Sequence, residues 1–171
     1  MNLYLLRHAK AVDLGTGGVR HDRDRPLAPE GEKKMRIIAE GMRHLELGFD
    51  VILSSPCVRA QQTAEIAAQG LRHHGPLRLT DSLAVEADLP ALVAEINRQH
   101  REAVNLLLVG HEPSLGHLLS MLVTGGYHLA VDFKKAALAK ISTDSLRWGR
   151  CAMLEWFLIP KQLVLLGSPP P

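Results

Sequence analysis

Aromatic residues are scarce in this chain: two Trp, two Tyr and three Phe among 171 residues. A core must therefore be assembled from Leu, Ile, Val and Ala. Cysteine is rarer still. Cys57 and Cys151 fit no metal or redox spacing, so both are expected to stay reduced, as small apolar fillers in a cytosolic protein. Long apolar runs are missing too. No stretch approaches the ~20 residues of a membrane span. The first apolar run, "LYLL", is too short for a secretory signal and is interrupted by Arg7. A one-sided charge is also lacking, with 20 basic residues against 18 acidic and a formal net charge of +2. That balance argues against nucleic acid as the main partner and makes any basic function local. The expectation is a soluble, cytoplasmic protein with no membrane and no nucleic-acid partner.

What is present suffices for one packed domain spanning residues 1–171, since 46% of the residues are hydrophobic. Asn2 to Leu6 reads as a buried strand. The loop that follows, "DLGTGGVRHDRDRPLAPEG", is rich in glycine and charge. A helix is predicted from Pro29 to Leu47, stopped by Gly48, with Met35, Ile38, Met42 and Leu45 on one face. "DVILSS" is a second strand. Pro56 is expected to open a helix reaching Gly70, with Ser55 as its cap. "LRLT" reads as a strand, "LPALVAEINRQH" as a helix, and "AVNLLLVG" as the most apolar and hence central strand. Pro113 is expected to begin the helix "PSLGHLLSMLV", ended by Gly125 and Gly126. "KKAALAKIS" and "CAMLEWFLI" read as antiparallel strands around the turn "TDSLRWGR", and the tail "GSPPP" as disordered. The predicted class is α/β: a mostly parallel central sheet with helices on both faces and antiparallel C-terminal edge strands.

Three polar motifs fall at the carboxyl ends of predicted strands, where open α/β sheets bind ligands. Arg7 and His8 end the first strand. "SSPCVRAQQTAE" follows the second and places Arg59 in the first turn of a helix. "VGHEPSL" follows the central strand and places His111 just before another helix. Two arginines, two histidines and helix N-termini on one edge suit an anion, and the expected anion is a phosphoryl group. A neutral imidazole there is a competent nucleophile whose phosphorylated form can be hydrolysed, with the cations offsetting charge on the transferring group.

These motifs resemble the histidine phosphatase superfamily, also called the phosphoglycerate mutase-like family. "LRHAK" is similar to its R-H-G or R-H-A signature, "SSPCVRAQQTAE" to S-S-P-x-x-R-A-x-Q-T-A, "RPLAPEG" to R-P-L-T-x-x-G, and "VGHEPSL" to its second histidine motif. "FKKAALAKI" and "LIPKQL" resemble the final strands of the branch called SixA, the phosphohistidine phosphatases. The resemblance implies a phosphoglycerate mutase-like fold and a metal-independent phosphatase without cofactor. It implies His8 as the residue that becomes phosphorylated, and Arg7, Arg59 and His111 as holders of the phosphoryl group. It also places Arg25 near the pocket, in contact with phosphate or substrate. The implied partner is a phosphohistidine-bearing protein, such as a histidine phosphotransfer domain or a carrier.

The chain departs from the family pattern twice. Ala28 replaces the usual Thr, which costs a helix cap. No obvious general acid occupies "SLAVEADLP", where ester-cleaving relatives carry one; Glu86 or Asp88 could serve, or Asp88 could simply precede a helix. SixA-type enzymes are similar in lacking that acid, and an imidazole leaving group needs less help than an alkoxide. The alternatives are therefore a phosphatase of small phosphate esters and a non-catalytic phosphoprotein-binding module. A metal-dependent phosphatase is the weakest rival: His21, Asp22 and Asp24 have ligand chemistry, but no second ligand cluster accompanies them. "RHDRDR" reads instead as a solvated charged loop, or as one that guides a phosphoprotein or closes over the site.

Overall fold

The computed structural model describes residues 1–168. Six strands form one sheet: β1 (Asn2–Arg7), β2 (Val51–Ser54), β3 (Leu77–Leu79), β4 (Asn105–Gly110), β5 (Leu138–Ser142) and β6 (Met153–Leu158). Their spatial order is β3-β2-β4-β1-β5-β6. The first four run parallel, whereas β5 and β6 pair antiparallel on the β1 side. The α/β class with antiparallel edge strands is thus as expected, and "NLLLVG" lies centrally between β1 and β2.

The helices are α1 (Pro29–His44), α2 (Val58–Gly70), α3 (Leu89–Gln99), α4 (Ser114–Thr124) and α5 (Pro160–Gly167). Because side chains alternate along a strand, each buried strand feeds two cores. Leu3, Leu5, Leu106 and Leu108 face α3 and α4, packing on Leu92, Ile96, Leu115 and Leu119. Tyr4, Leu6, Leu107 and Val109 face the other way, toward Met35, Ile38, Met42, Ala64 and Leu163 of α1, α2 and α5.

Several sequence expectations need correction. α1 ends at His44 rather than Leu47, because Glu46 adopts φ 55° and reverses the chain. That turn carries Leu47 back onto the core, its N–H bonding Met42 O. α2 begins at Val58, not Pro56, and Cys57 is its N-cap. Ser55 is spent one step earlier, its Oγ accepting from Cys57 N–H at 3.2 Å. α4 begins at Ser114, with Pro113 at the N-cap position.

"LIPKQL" is not a strand beyond Leu158, the last residue of β6. Pro160 sits in the first turn of α5 with its φ preset for a helix, and the Gln162 side chain accepts from Ile159 N–H at 2.9 Å. Eight residues with little of their surface buried gave no periodic signal. The tail read as disordered from Gly167 also needs revision. Gly167 closes α5 against the backbone of Ile37 and Gly41, and Ser168 Oγ donates to Val164 O. Residues 169–171 lie outside the described residues.

Candidate active site

Strand register builds the site. Arg7 lies opposite Gly110, and Ser54 opposite Val109. One residue further on, His8 N–H bonds Gly110 O at 3.0 Å and Ser55 N–H bonds Val109 O at 2.9 Å. The ladder thus continues just past the strand ends, fixing His8, Ser55 and His111 at one level of the sheet edge. The rings of His8 and His111 lie with centroids 5.0 Å apart.

Both rings are nearly inaccessible, and burial is the main cause pushing His8 down to about 3 and His111 to about 4. The surrounding Arg59 and Arg7 add to the depression of each. Near neutral pH both are uncharged. His8 Nδ1 lies 2.7 Å from Ala9 O. A carbonyl only accepts, so Nδ1 carries the proton and Nε2 keeps its lone pair. Arg59 Nε donates to that Nε2 at 3.3 Å.

Arg59 is buried at the start of α2 and held from two sides. Its Nη1 donates to Asp22 O at 2.6 Å and its Nη2 to Asp22 Oδ2 at 2.8 Å. One turn on, Thr63 Oγ1 donates to Arg59 O at 2.6 Å and accepts from Ala9 N–H at 3.0 Å. The helix carrying the arginine is thereby tied to the backbone beside His8. Arg7 Nη1 donates to Phe133 O at 2.8 Å, while its Nε is buried without a partner among the described residues.

His111 Nε2 contacts Ser55 Oγ at 2.8 Å, and its Nδ1 is likewise buried without a partner among the described residues. Ser55 accepts from Cys57 N–H, so its hydroxyl proton is free to go to His111 Nε2. With that bond made, neutral His111 presents Nδ1–H as a donor. Buried polar groups without partners are uncommon. Here two of them, Arg7 Nε and His111 Nδ1, belong to the arginine–histidine set that the sequence singled out.

The other candidates are placed differently. Arg25 Nε donates to Val12 O and its Nη1 pairs with Asp22 Oδ1, both at 2.7 Å, so it reaches the site only through Asp22. Its position follows from the R-P-L segment folding back on residues 10–12: Val12 N–H bonds Pro26 O and Ala28 N–H bonds Lys10 O. Asp88 is exposed and caps α3, accepting from Ala91 N–H at 3.0 Å. Glu86 is exposed in a hollow shared with Asp22 and Arg23.

Sequence reasoning missed Ser55's contact with His111, Thr63, and Asp22 as the partner of Arg59. Asp22 was hidden in a charge run that read as solvent-facing. It also missed Glu112, whose half-buried carboxyl is pushed above its usual range by burial, against the pull of Arg7 and of a 2.7 Å bond from Gly116 N–H. Its place directly after His111 was the only signal.

No group of three or more His, Cys, Asp or Glu suited to a metal occurs among the described residues. No helix among them is long and apolar enough to cross a membrane.

A histidine at the carboxyl edge of a mixed α/β sheet, ringed by two arginines and a second histidine, is the layout of one enzyme class. The profile of the histidine phosphatase superfamily (branch 1) matches residues 3–89, and the chain belongs to that superfamily. Within it the chain fits the SixA-type branch. It is 25% identical to the phosphohistidine phosphatase SixA of Escherichia coli over 146 residues, 84% of this chain and 86% of that one. An uncharacterized protein of a Picosynechococcus species is 35% identical over 169 residues, 96% of this chain and 99% of that one. In three dimensions the chain is similar to the protein histidine phosphatase SixA solved with tungstate. That match has a TM-score of 0.81 and 24% identity, covering 95% of this chain and 99% of that one.

Proposed function

We propose that this phosphatase removes phosphoryl groups from histidine on a protein, through a covalent phosphohistidine on His8. The carrying observation is the protonation geometry of His8. Its Nδ1 proton is committed to Ala9 O, and Nε2 is unprotonated, its lone pair accepting only a long 3.3 Å bond from the Arg59 guanidinium. In the first step Nε2 attacks phosphorus and the bond from phosphorus to the substrate imidazole breaks. The leaving group departs as neutral imidazole when its other nitrogen carries a proton. In the second step water attacks the phosphoryl group on His8, releasing inorganic phosphate and restoring the imidazole.

Arg7, Arg59 and the His111 donor offset the charge on the phosphoryl oxygens throughout. The reaction needs no metal, because these groups already supply that charge. Transfer from one imidazole to another is close to balanced in energy, so it asks for no strong acid. The SixA relatives support the same reading, as do the positions of Glu86, exposed, and Asp88, engaged as a helix cap. The free Cys57 and Cys151 accord with a cytoplasmic enzyme.

The test is a paired assay in chelator, using a histidine-phosphorylated phosphotransfer domain and an aryl phosphate ester, with wild type and His8→Ala. The expected result is preference for the phosphohistidine substrate and loss of both activities in the variant. Preference for the ester would move the enzyme to small-molecule substrates and make Glu86 and Asp88 the acids to examine. Activity surviving without His8 would overturn the assignment.

A further inference from the structure

Five lysines from four separate stretches of chain converge beside the catalytic pocket. Lys10 follows β1, Lys34 stands on α1, Lys134 and Lys135 precede β5, and Lys161 lies in the first turn of α5. With Arg7 they line a cleft of about 710 Å3. Two carboxylates also line it, Glu30 and Asp132, paired with Lys10 at 2.7 Å and Lys134 at 3.4 Å. Lys34, Lys135 and Lys161 are exposed and have no carboxylate within 4.0 Å among the described residues. Six cations against two carboxylates leave the cleft four positive charges in excess. The whole chain carries a formal +2, so the remainder is net negative. Such a concavity focuses positive potential, and no packing of these exposed side chains requires it.

Arg7 joins the cleft to the site, since it lines the one and belongs to the other. Any macromolecule whose phosphorylated side chain enters the pocket must lay adjoining surface nearby. We propose that this cleft is the docking surface for the protein substrate and seats an acidic face of it; the inference rests on the phosphohistidine reading above.

The chemistry favours carboxylates. Lysine ammoniums on flexible stems act as hydrated point charges, suited to attracting a spread of carboxylates rather than to gripping one phosphate in a fixed fork. Among the described residues no aromatic ring lines the cleft to stack a nucleobase. The opposite flank carries the other sign, for Asp22, Asp81 and Glu86 line a hollow there with Arg23 as their one cation. The two flanks together fix which way round an acidic partner sits.

The experiment is stopped-flow dephosphorylation of an acidic histidine-phosphorylated phosphotransfer domain and of free phosphohistidine, by wild type and a Lys34→Glu/Lys135→Glu/Lys161→Glu variant. The expected outcome is a loss of tenfold or more in kcat/KM for the domain, with a flatter salt dependence and unchanged turnover of free phosphohistidine. Polyglutamate should inhibit wild type on the domain, and inhibit the variant far less.

Equal rates and salt slopes on the domain would overturn the docking surface and leave the chemistry standing. Equal loss on both substrates would also overturn it, by showing that the lysines act on the catalytic pocket itself. Stronger inhibition by a single-stranded oligonucleotide than by polyglutamate would overturn it in favour of a nucleic acid. Wild type inert toward both phosphohistidine substrates would overturn the functional reading, and the docking surface with it.

Discussion

Arg59 holds His8 and Asp22 at the same time. Its Nε reaches the imidazole Nε2 at 3.3 Å, and its Nη2 reaches the Asp22 carboxylate at 2.8 Å. Asp22 is shared in turn with Arg25, whose bond is the largest cause holding that carboxyl below its usual range. A carboxylate on a half-exposed loop thus occupies the arginine that a phosphoryl group would use.

Asp22→Asn should therefore tighten anion binding. The lost competitor is a partly exposed ion pair, a contribution of about 0.5–1 kcal/mol. Inhibition constants for phosphate or tungstate should fall about two- to fivefold. An increase would mean that Asp22 aims Arg59 rather than competing for it.

Thr63 links α2 to the backbone after His8. Thr63→Val keeps the shape and removes the acceptor for Ala9 N–H, a buried donor whose loss costs about 1–3 kcal/mol. Thermal unfolding should shift down accordingly, with kcat falling more than KM rises as His8 loses its fixed aim. Thr63→Ser, which keeps the hydroxyl, should restore most of kcat. Failure of that rescue would show that the methyl contact matters instead.

Ser55→Ala leaves His111 Nε2 and Cys57 N–H without their partner. The expected loss is about tenfold in kcat/KM, near 1.4 kcal/mol of the hydrogen-bonded orientation. Steady-state kinetics beside a melting curve separates the roles. Reduced stability with intact kcat/KM would confine Ser55 to the turn.

The two histidines also set an acid limit on stability. Each has a folded-state pKa below its unfolded value, near 6.5, with His8 at about 3 and His111 at about 4. Between those values the unfolded chain binds protons that the folded chain refuses. Their stabilising contribution is complete above about pH 6.5 and is lost as pH falls toward 4 and then 3. The slope is about 1.4 kcal/mol per pH unit for each histidine. Urea unfolding of wild type and a His8→Asn/His111→Asn variant from pH 7.5 to 4 measures it. The variant should show the shallower dependence, and parallel curves would place the acid sensitivity elsewhere. The same depression keeps His8 uncharged in mild acid, so under the proposed mechanism kcat/KM should not fall with a midpoint near 6.5.

The parts of this protein that were legible in the sequence share one property: their signal is local and periodic. β1, β4 and α1 announce themselves by runs or stripes of apolar residues, and Arg7, His8, Arg59 and His111 by their places at strand ends. What escaped depends on long-range pairing. Asp22 resembles every other charge in "RHDRDR" until the loop delivers it to Arg59, 37 residues away. Ser55 looks like a helix cap until His111, 56 residues on, claims its hydroxyl. α5 carries too few buried residues to show a period, and is fixed by the close approach of Gly41 and Gly167 between helices.

The sheet order also has a consequence in time. His8 is made long before the segments that complete its sheet, since β1 is hydrogen-bonded on one side to residues 105–110 and on the other to residues 138–142. The strand cannot be completed until both partners exist, and pairings so distant in sequence form slowly. During synthesis His8 is therefore carried unassembled until β4 and β5 have both been made. Its imidazole is then an ordinary exposed base with none of the burial that later holds it neutral. Chemical competence arrives in one step with the closing of the sheet, rather than growing as the polypeptide lengthens.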